Sequence, residues 1–316
     1  MNSAKKHIVE SRLEKAYAIL KECTLCPRRC KVNRLAGKKG YCKLGKELMV
    51  SSISVHHGEE PPISGINGSG TIFFTSCNLL CVFCQNYPIS HLREGKEMSP
   101  KELADSMLSL QDSRVHNINL VTPTHLVPQI MESLNIAFEK GLSIPIVYNT
   151  GGYDSLETLN LLDGIVDIYM PDMKYSSNTV GKLLSNVSDY VERNREAVIE
   201  MHRQVGDFRM GPDGIGIRGL LIRHLVMPDE LAGTRDTMRF ISQKISPNTF
   251  ISLMSQYFPD GHANSISQIN RRITNEEYLK AQSAMEEEGL FNGWVQGRYI
   301  DENIFNIRRF LNEKNK

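Results

Sequence analysis

Short apolar runs alternate with helical patterns across residues 71–259, and this alternation restricts the fold more than any other feature of the chain. The predicted strands are Thr71–Ser76, Asn117–Val121, Pro145–Asn149, Val166–Met170, Leu220–Met227 and Thr249–Gln256. Strands separated by helices form a parallel sheet, because each helix returns the chain to the level where the next strand starts. An eight-stranded barrel usually needs about 250 residues, more than this stretch has. The sequence therefore predicts an α/β fold, a partial (β/α)6 barrel.

Helix starts are predicted where a short polar residue precedes a glutamate by three positions, the pattern of a capping box. The pairs are Ser99 with Glu102, Asp154 with Glu157, and Thr274 with Glu277. Each pair follows a predicted strand, which supports the alternation.

Chain length and composition set the domain organisation. A chain of 316 residues can hold one barrel-sized domain and a small appendage. We predict a helix and a four-cysteine metal-binding module over 1–50, a linker or ordered loop over 51–70, the partial barrel over 71–297 and a C-terminal helix over 298–316. The net charge of +1 and the absence of a long apolar run argue against a membrane partner. Seven cysteines in two tight clusters are typical of metal binding in a reducing compartment, so we expect a cytoplasmic protein.

Three cysteines, Cys77, Cys81 and Cys84, follow the first predicted strand closely. They lie on the loop at its C-terminal end, where α/β barrels carry their active sites. Three thiolates can ligate three irons of a [4Fe–4S] cluster and leave the fourth open to a small molecule. Buried structural cysteines are the alternative, but three at this spacing favour a catalytic cluster.

The pattern Cys-x-x-x-Cys-x-aromatic-Cys, with Phe83 as the aromatic residue, resembles the signature of the radical SAM superfamily. The resemblance implies that Cys77, Cys81 and Cys84 hold a [4Fe–4S] cluster whose open iron binds S-adenosylmethionine (SAM). In that superfamily the reduced cluster cleaves SAM to a 5′-deoxyadenosyl radical, which abstracts hydrogen from a substrate. The resemblance also implies a barrel of the radical SAM type and places Phe83 near the adenine.

Residues 71–230 are similar to the pyruvate formate-lyase activating enzyme branch of that superfamily at two strand ends, Tyr148–Tyr153 and Val166–Lys174. At these positions the branch binds a monovalent cation and SAM. The similarity therefore implies cofactor-binding roles for Asn149, Thr150, Met170, Asp172 and Lys174. Asn149 stands where the branch has a carboxylate. A buried ion pair is the structural alternative for Asp172 and Lys174.

Two further positions are interpreted through the same similarity. Side chains alternate along a strand, so either Arg223 or His224 faces the barrel interior. The similarity favours Arg223 as a SAM contact, and His224 is either a core histidine or a ligand. The branch binds the SAM amino group through a Gly-Gly-Glu-Pro segment, where this chain has Val121–Gln129 without a carboxylate. Thr122 and Thr124 are the candidates to accept hydrogen bonds from that ammonium.

A second cysteine set near the N-terminus consists of Cys23, Cys26, Cys30 and Cys42. Four thiolates can fully ligate a structural zinc ion, and they can equally hold every corner of an auxiliary [4Fe–4S] cluster. The opening Cys-x-x-Cys slightly favours zinc, but the spacing leaves both alternatives open.

The segment His56-His57-Gly58-Glu59-Glu60 also contains groups that bind metals or move protons. Adjacent residues of an extended chain point in opposite directions, so the four side chains cannot all converge. We expect a loop packed against the barrel mouth.

Together these features predict a radical SAM enzyme that acts on a macromolecule, either a protein similar to a glycyl-radical enzyme or another protein or RNA. A barrel of six strands leaves an open side that can admit a loop of such a partner. A reductant such as flavodoxin or ferredoxin would supply the electron. The alternatives are a binding protein acting through the four-cysteine module and an iron–sulfur carrier.

Overall fold

The structure, a computed structural model, describes residues 2–296 and 305–306. Its α-helices are α1 (Asn2–Ala18), α2 (Pro61–Ser64), α3 (Tyr87–Ser90), α4 (Pro100–Asp112), α5 (Val127–Glu139), α6 (Leu156–Leu162), α7 (Asn178–Ser185), α8 (Tyr190–Val205), α9 (Thr234–Lys244) and α10 (Asn275–Glu287). Its strands are β1 (Leu48–His56), β2 (Ser69–Phe74), β3 (Lys96–Met98), β4 (Ile118–Val121), β5 (Ile146–Thr150), β6 (Ile168–Pro171), β7 (Arg209–Met210), β8 (Gly216–Leu225), β9 (Phe250–Met254), β10 (Gly293–Gln296) and β11 (Phe305–Asn306). The predicted C-terminal helix over 298–316 lies outside the described residues except for 305–306, where the structure has a strand.

These strands form one sheet in the order β11-β10-β9-β8-β6-β5-β4-β2-β1-β3, and β7 pairs with β8. Every neighbouring pair from β2 to β10 on this path is parallel. The six predicted strands all belong to this parallel run, and β10 extends it to seven. Strand β10 was not predicted, because its sequence Gly-Trp-Val-Gln has only two apolar side chains and forms no apolar run. The fold is α/β with a mostly parallel central sheet, compatible with a partial barrel of the radical SAM type.

The segment 51–70, predicted to be a linker or ordered loop, contributes to the sheet. Residues up to His56 belong to β1, which pairs antiparallel with β2 and with β3. Ser52 and Ser54 alternate with Ile53 and Val55, so the composition resembles a linker while the period is that of a strand. The chain then passes through the single turn α2, where Ile63 is fully buried.

The sheet has two apolar faces. Val147, Ile168 and Leu221 form a small buried cluster with Ile63 and Trp294. Their neighbours along the strands belong instead to the large core beneath the helices. Because side chains alternate along a strand, these two clusters lie on opposite faces. We call the face that carries the small cluster the inner face, and the segment containing α2 packs against it.

The N-terminal helix is joined to the barrel. The Lys5 ammonium pairs with the Asp167 carboxylate, and both side chains are buried. Arg12 Nη1 donates hydrogen bonds to backbone carbonyls of residues 160, 161 and 163 at the end of α6. The range 1–50 therefore shares its packing with the barrel. Within the described residues, no helix is long and apolar enough to cross a membrane.

Two of the predicted capping boxes are present and one is wrong. The hydroxyls of Ser99 and Thr274 each accept a hydrogen bond from the backbone amide of the glutamate three residues later, and that glutamate's carboxylate accepts one from the backbone amide of the cap residue. Asp154 does not cap α6; the cap is Ser155, whose hydroxyl accepts from the Thr158 amide. Asp154 instead turns into the protein to receive other hydroxyl groups.

Candidate functional site

The loop after β2 carries the three cysteines at the C-terminal end of the strand, as predicted. Ser76 and Leu80 adopt left-handed backbone conformations, with φ of 74° and 57°. Such conformations are costly for residues other than glycine and persist where their surroundings hold them. Ser76 is held through its hydroxyl, which donates to the Cys42 carbonyl. The loop geometry is therefore tied to the N-terminal cysteine set.

Each thiol of this loop has a polar neighbour. The contacts are the Leu79 amide to Cys77 Sγ at 3.3 Å, Ser185 Oγ to Cys81 Sγ at 2.9 Å, and the Ser90 hydroxyl to Cys84 Sγ at 3.1 Å. Burial, and then the charges of Cys81 and Cys84, raise the pKa of Cys77 to about 12. Burial also raises the pKa of Cys84. A metal centre would supply the positive charge that buried thiolates need, and three sulfur donors with polar neighbours fit a [4Fe–4S] cluster with one open iron.

Phe83 is buried in an aromatic group next to the loop. Its ring meets Tyr175 edge-on at 6.5 Å and Tyr257 at 5.9 Å between centroids. The amide of Val82 donates to the Leu184 carbonyl, which anchors the backbone beside it. A role for Phe83 beside adenine stays a prediction.

An ion network lies at the C-terminal ends of β5, β6 and β8. Asp172 accepts from Lys174 Nζ at 2.6 Å and from Arg223 Nε at 2.9 Å. Arg223 Nη2 also donates to Asn149 Oδ1 at 2.8 Å. The sequence predicted these four residues at one site, and the structure brings them together. The structural alternative for Asp172 and Lys174, a buried ion pair, is present as well.

Charges within the network outweigh its burial. Burial raises the pKa of Asp172, but Arg223 and Lys174 lower it below its ordinary value. Burial lowers the pKa of Lys174, but Asp172 and then Cys81 raise it. All three groups therefore stay charged at neutral pH. Because Cys81 acts on Lys174, the network adjoins the cysteine loop.

Two glutamates complete the network, and the sequence analysis missed their role. Glu59 Oε2 lies 3.7 Å from Arg223 Nη1. Glu60 is buried, and this burial raises its pKa to about 7 even though Arg223 opposes the shift. Nearby His57 is exposed, so the histidines and glutamates of this segment do not converge, as expected. The signal that could have found the glutamates is two adjacent carboxylates just before two prolines, which place Glu60 at the start of α2.

Thr124 and Thr150 meet at a buried carboxylate. Both hydroxyls donate to Asp154, each at 2.7 Å, and the Tyr148 hydroxyl donates to it at 2.9 Å. Burial raises the pKa of Asp154, and these three hydroxyls oppose the shift. Each threonine hydroxyl has used its only hydrogen, so its remaining capacity is to accept.

Three other positions considered in the sequence analysis, Thr122, Met170 and His224, lie outside the ion network: Thr122 has a strained backbone, and the other two are packed in the core. Thr122 has φ of 57°, and its amide donates to the Asn149 carbonyl at 2.8 Å. Met170 is buried within the inner-face cluster. His224 faces the helices, and its ring nitrogens lie 2.7 Å from the Met173 carbonyl and 2.9 Å from a threonine hydroxyl. Burial lowers its pKa to about 4, so it is a core histidine.

The N-terminal cysteine set packs directly on this site. Arg28 stacks over the Tyr41 ring at 3.6 Å and donates to the backbone carbonyls of residues 78, 79, 185 and 186. Arg34 is buried and donates to the carbonyls of residues 45 and 125. These contacts connect the module both to the Cys77–Cys84 loop and to the end of α7.

The four N-terminal thiols are close enough to affect each other electrostatically. Burial raises the pKa of Cys26, and the charges of Cys42, Cys23 and Cys30 add to the shift. The Tyr41 amide lies 3.3 Å from Cys30 Sγ. The part of the chain that the structure describes contains no group of three or more His, Cys, Asp or Glu side chains arranged for a single metal ion. The metal at this set stays a prediction.

Comparison with known proteins gives two findings. A sequence profile described as "Radical SAM superfamily" matches residues 71–241, more than half of the chain. The chain is also 34% identical over 299 residues to the protein "Uncharacterized protein MJ0674" of Methanocaldococcus jannaschii, covering 90% of this chain and 80% of the relative. The matched range contains the cysteine loop, the threonine cluster and the ion network except for Glu59 and Glu60, which precede it.

Proposed function

The chain belongs to the radical SAM superfamily, and on that premise we propose that it cleaves SAM reductively and that the resulting 5′-deoxyadenosyl group takes a hydrogen atom from a macromolecular substrate. A [4Fe–4S] cluster with SAM supplies the 5′-deoxyadenosyl radical chemistry. Cys77, Cys81 and Cys84 would hold this cluster. Superfamily membership supports an enzyme in general, and the finer likeness to pyruvate formate-lyase activating enzymes is part of the proposal.

The cysteine loop and the ion network adjoin each other, and this adjacency carries the proposal. Ser185 Oγ lies 2.9 Å from Cys81 Sγ and 2.8 Å from the hydroxyl of Tyr175, the residue after Lys174. The charge of Cys81 also raises the pKa of Lys174. A cofactor that bridges sulfur-bound iron and a charged pocket needs these two groups of residues side by side. The network offers cations for a carboxylate through Lys174 and Arg223, with Asp172 orienting both.

The threonine cluster provides what the missing Gly-Gly-Glu segment would have provided. The oxygens of Thr124 and Thr150 can only accept further hydrogen bonds, because both hydrogens point to Asp154. An ammonium group has only donors, so it is a suitable ligand for these oxygens. The buried carboxylate of Asp154 would add a negative charge behind the two threonine hydroxyls, where it attracts the ammonium without contacting it. Thr122, strained at the end of β4, would shape the same wall.

A macromolecular substrate is supported by the shape of the sheet. In the described residues the strand order ends at β11 and β3, and no pairing joins these two edges. A loop of a protein, such as one resembling a glycyl-radical enzyme, could enter there. Flavodoxin or ferredoxin is the proposed electron donor, and the N-terminal set would hold either zinc or a second cluster.

The proposal is tested by anaerobic reconstitution of the wild type and of a Cys77→Ala/Cys81→Ala/Cys84→Ala variant. Iron, sulfide and zinc are counted, and 5′-deoxyadenosine is measured after addition of dithionite and SAM. We expect product from the wild type alone, with the metal of the N-terminal set retained in the variant. A matched variant at that set, Cys26→Ala/Cys30→Ala, separates its metal content from that of the loop.

Absence of product and of SAM binding in fully loaded wild type would contradict the proposal. It would favour the binding-protein or carrier alternative, and transfer of the cluster to an acceptor protein would then identify a carrier.

A further inference from the structure

Five buried polar atoms on the inner face have no hydrogen-bond partner among the described residues: both side-chain polar atoms of Asn119, which pairs with Val147, and three atoms closer to the ion network. These three are Glu60 Oε2, Ser252 Oγ and Trp294 Nε1. The exposures of these residues are 7%, 0% and 3%. Leaving such an atom unpaired away from water is costly, and more so if it is charged. The unpaired acceptors Glu60 Oε2 and Ser252 Oγ therefore indicate a place where a donor group of a ligand completes the hydrogen bonding, whereas Trp294 Nε1 can only donate and is not paired by such a group.

Sheet register places these atoms beside the ion network. Ser252 pairs with Arg223 on one side and with Trp294 on the other. Residues opposite each other in a sheet point to the same face, so the side chains of Arg223, Ser252 and Trp294 form one row. Trp294 belongs to the same buried cluster as Ile63, which lies one turn after Glu60. The row and the glutamate pair are thus two walls of one region.

Charge in this region is not balanced. Among the described residues, the carboxylates of Asp172, Glu59 and Glu60 face two cations, Arg223 and Lys174. Arg223 is shared with Asp172 and Asn149, and it is 3.7 Å from Glu59 at its nearest. One buried negative charge lacks a close partner, and such a charge strongly favours a cation.

The region can be reached from the mouth of the barrel. Side-chain exposure is 19% for Arg223 and for Lys174, and it falls to 9% for Glu59. A group entering past the ion network would therefore meet the glutamates next.

We propose that Glu59 and Glu60 bind a protonated amine of the substrate on the inner face, with Ser252 as a further acceptor. The assignment of the amine to a substrate rests on the proposed radical SAM function, whereas the existence of the amine site does not. The alternative is that Glu59 and Glu60 share one proton between their carboxyl groups and bind no cation.

Trp294 is the only tryptophan of the chain and lies in the site, so its fluorescence reports binding directly. The probes are butylammonium, butyramide and butyrate, which have similar size and different charge. They are titrated into cluster-loaded protein under anaerobic conditions, where quenching by the cluster is constant. We expect a saturable response to butylammonium that weakens about tenfold in Glu60→Gln, because the charge-assisted bond is lost.

Glu97→Gln is the control, since Glu97 is an exposed carboxylate of β3. It should bind butylammonium as the wild type does. An equal response of the wild type to butyramide, no response to any probe, or unchanged affinity in Glu60→Gln would each overturn the proposal. Amine binding by protein that neither binds nor cleaves SAM would leave the site standing and reject the radical SAM function, so the two failures are distinguishable.

Discussion

Replacing Glu60 by Gln should make the stability of the protein less dependent on pH. The ordinary pKa of this carboxyl is 4.5, and burial raises it to about 7 in the folded chain. Between these values the folded protein keeps a proton that the unfolded chain has released. Stability therefore falls as pH rises through this window and stays lower above it. Glutamine cannot ionise, so the variant lacks this loss.

The size of the effect follows from the shift. The difference between 4.5 and about 7 corresponds to about 3 kcal/mol of unfolding free energy. We expect the wild type and Glu60→Gln to differ little near pH 5. Near pH 8 the variant should be more stable by about 3 kcal/mol, because it buries no charge at this position.

Guanidinium chloride unfolding of both proteins, under anaerobic conditions at a series of pH values, measures this difference. Contributions of the cysteines and of the ion network are common to both proteins and cancel in the comparison. Glu97→Gln should follow the wild type at every pH. Parallel stability curves for the wild type and Glu60→Gln, or a variant that is less stable at high pH, would refute the reasoning.

Three further substitutions test the site. Asp172→Asn leaves the buried Arg223 and Lys174 without their shared carboxylate, so the unfolding free energy should fall by about 3–5 kcal/mol. The denaturant midpoint measures this change, and an unchanged midpoint would show that the network is not needed for folding. Arg28→Ala removes the hydrogen bonds to the carbonyls of residues 78 and 79, so iron bound per chain after gel filtration should fall, and full retention would disprove this link. Gly152→Ala should cost more than about 2 kcal/mol in thermal or chemical unfolding, since φ is +73° and the new Cβ would lie 2.3 Å from a backbone carbonyl; wild-type stability would contradict the geometry.

Local patterns in the sequence predicted much of the fold. The six strands of the parallel run were found because each is a short apolar segment between helices. Arg223 was favoured over His224 as the residue that faces inward; in the structure Arg223 contacts Asp172 and Asn149, and His224 contacts the Met173 carbonyl. The segment of β1 was mistaken for a linker because its serines hid an alternating strand pattern.

The superfamily signature, the α/β class and the position of the cysteine loop can be inferred from the sequence, because each depends on residues close together in the chain. Which distant groups come into contact is known only from the folded protein. Glu60 comes to Arg223 because α2 packs on the inner face, and Asp154 collects hydroxyls from two strand ends. Such contacts between residues far apart in the sequence depend on the order and the register of the strands in the sheet, and no local pattern contains that information.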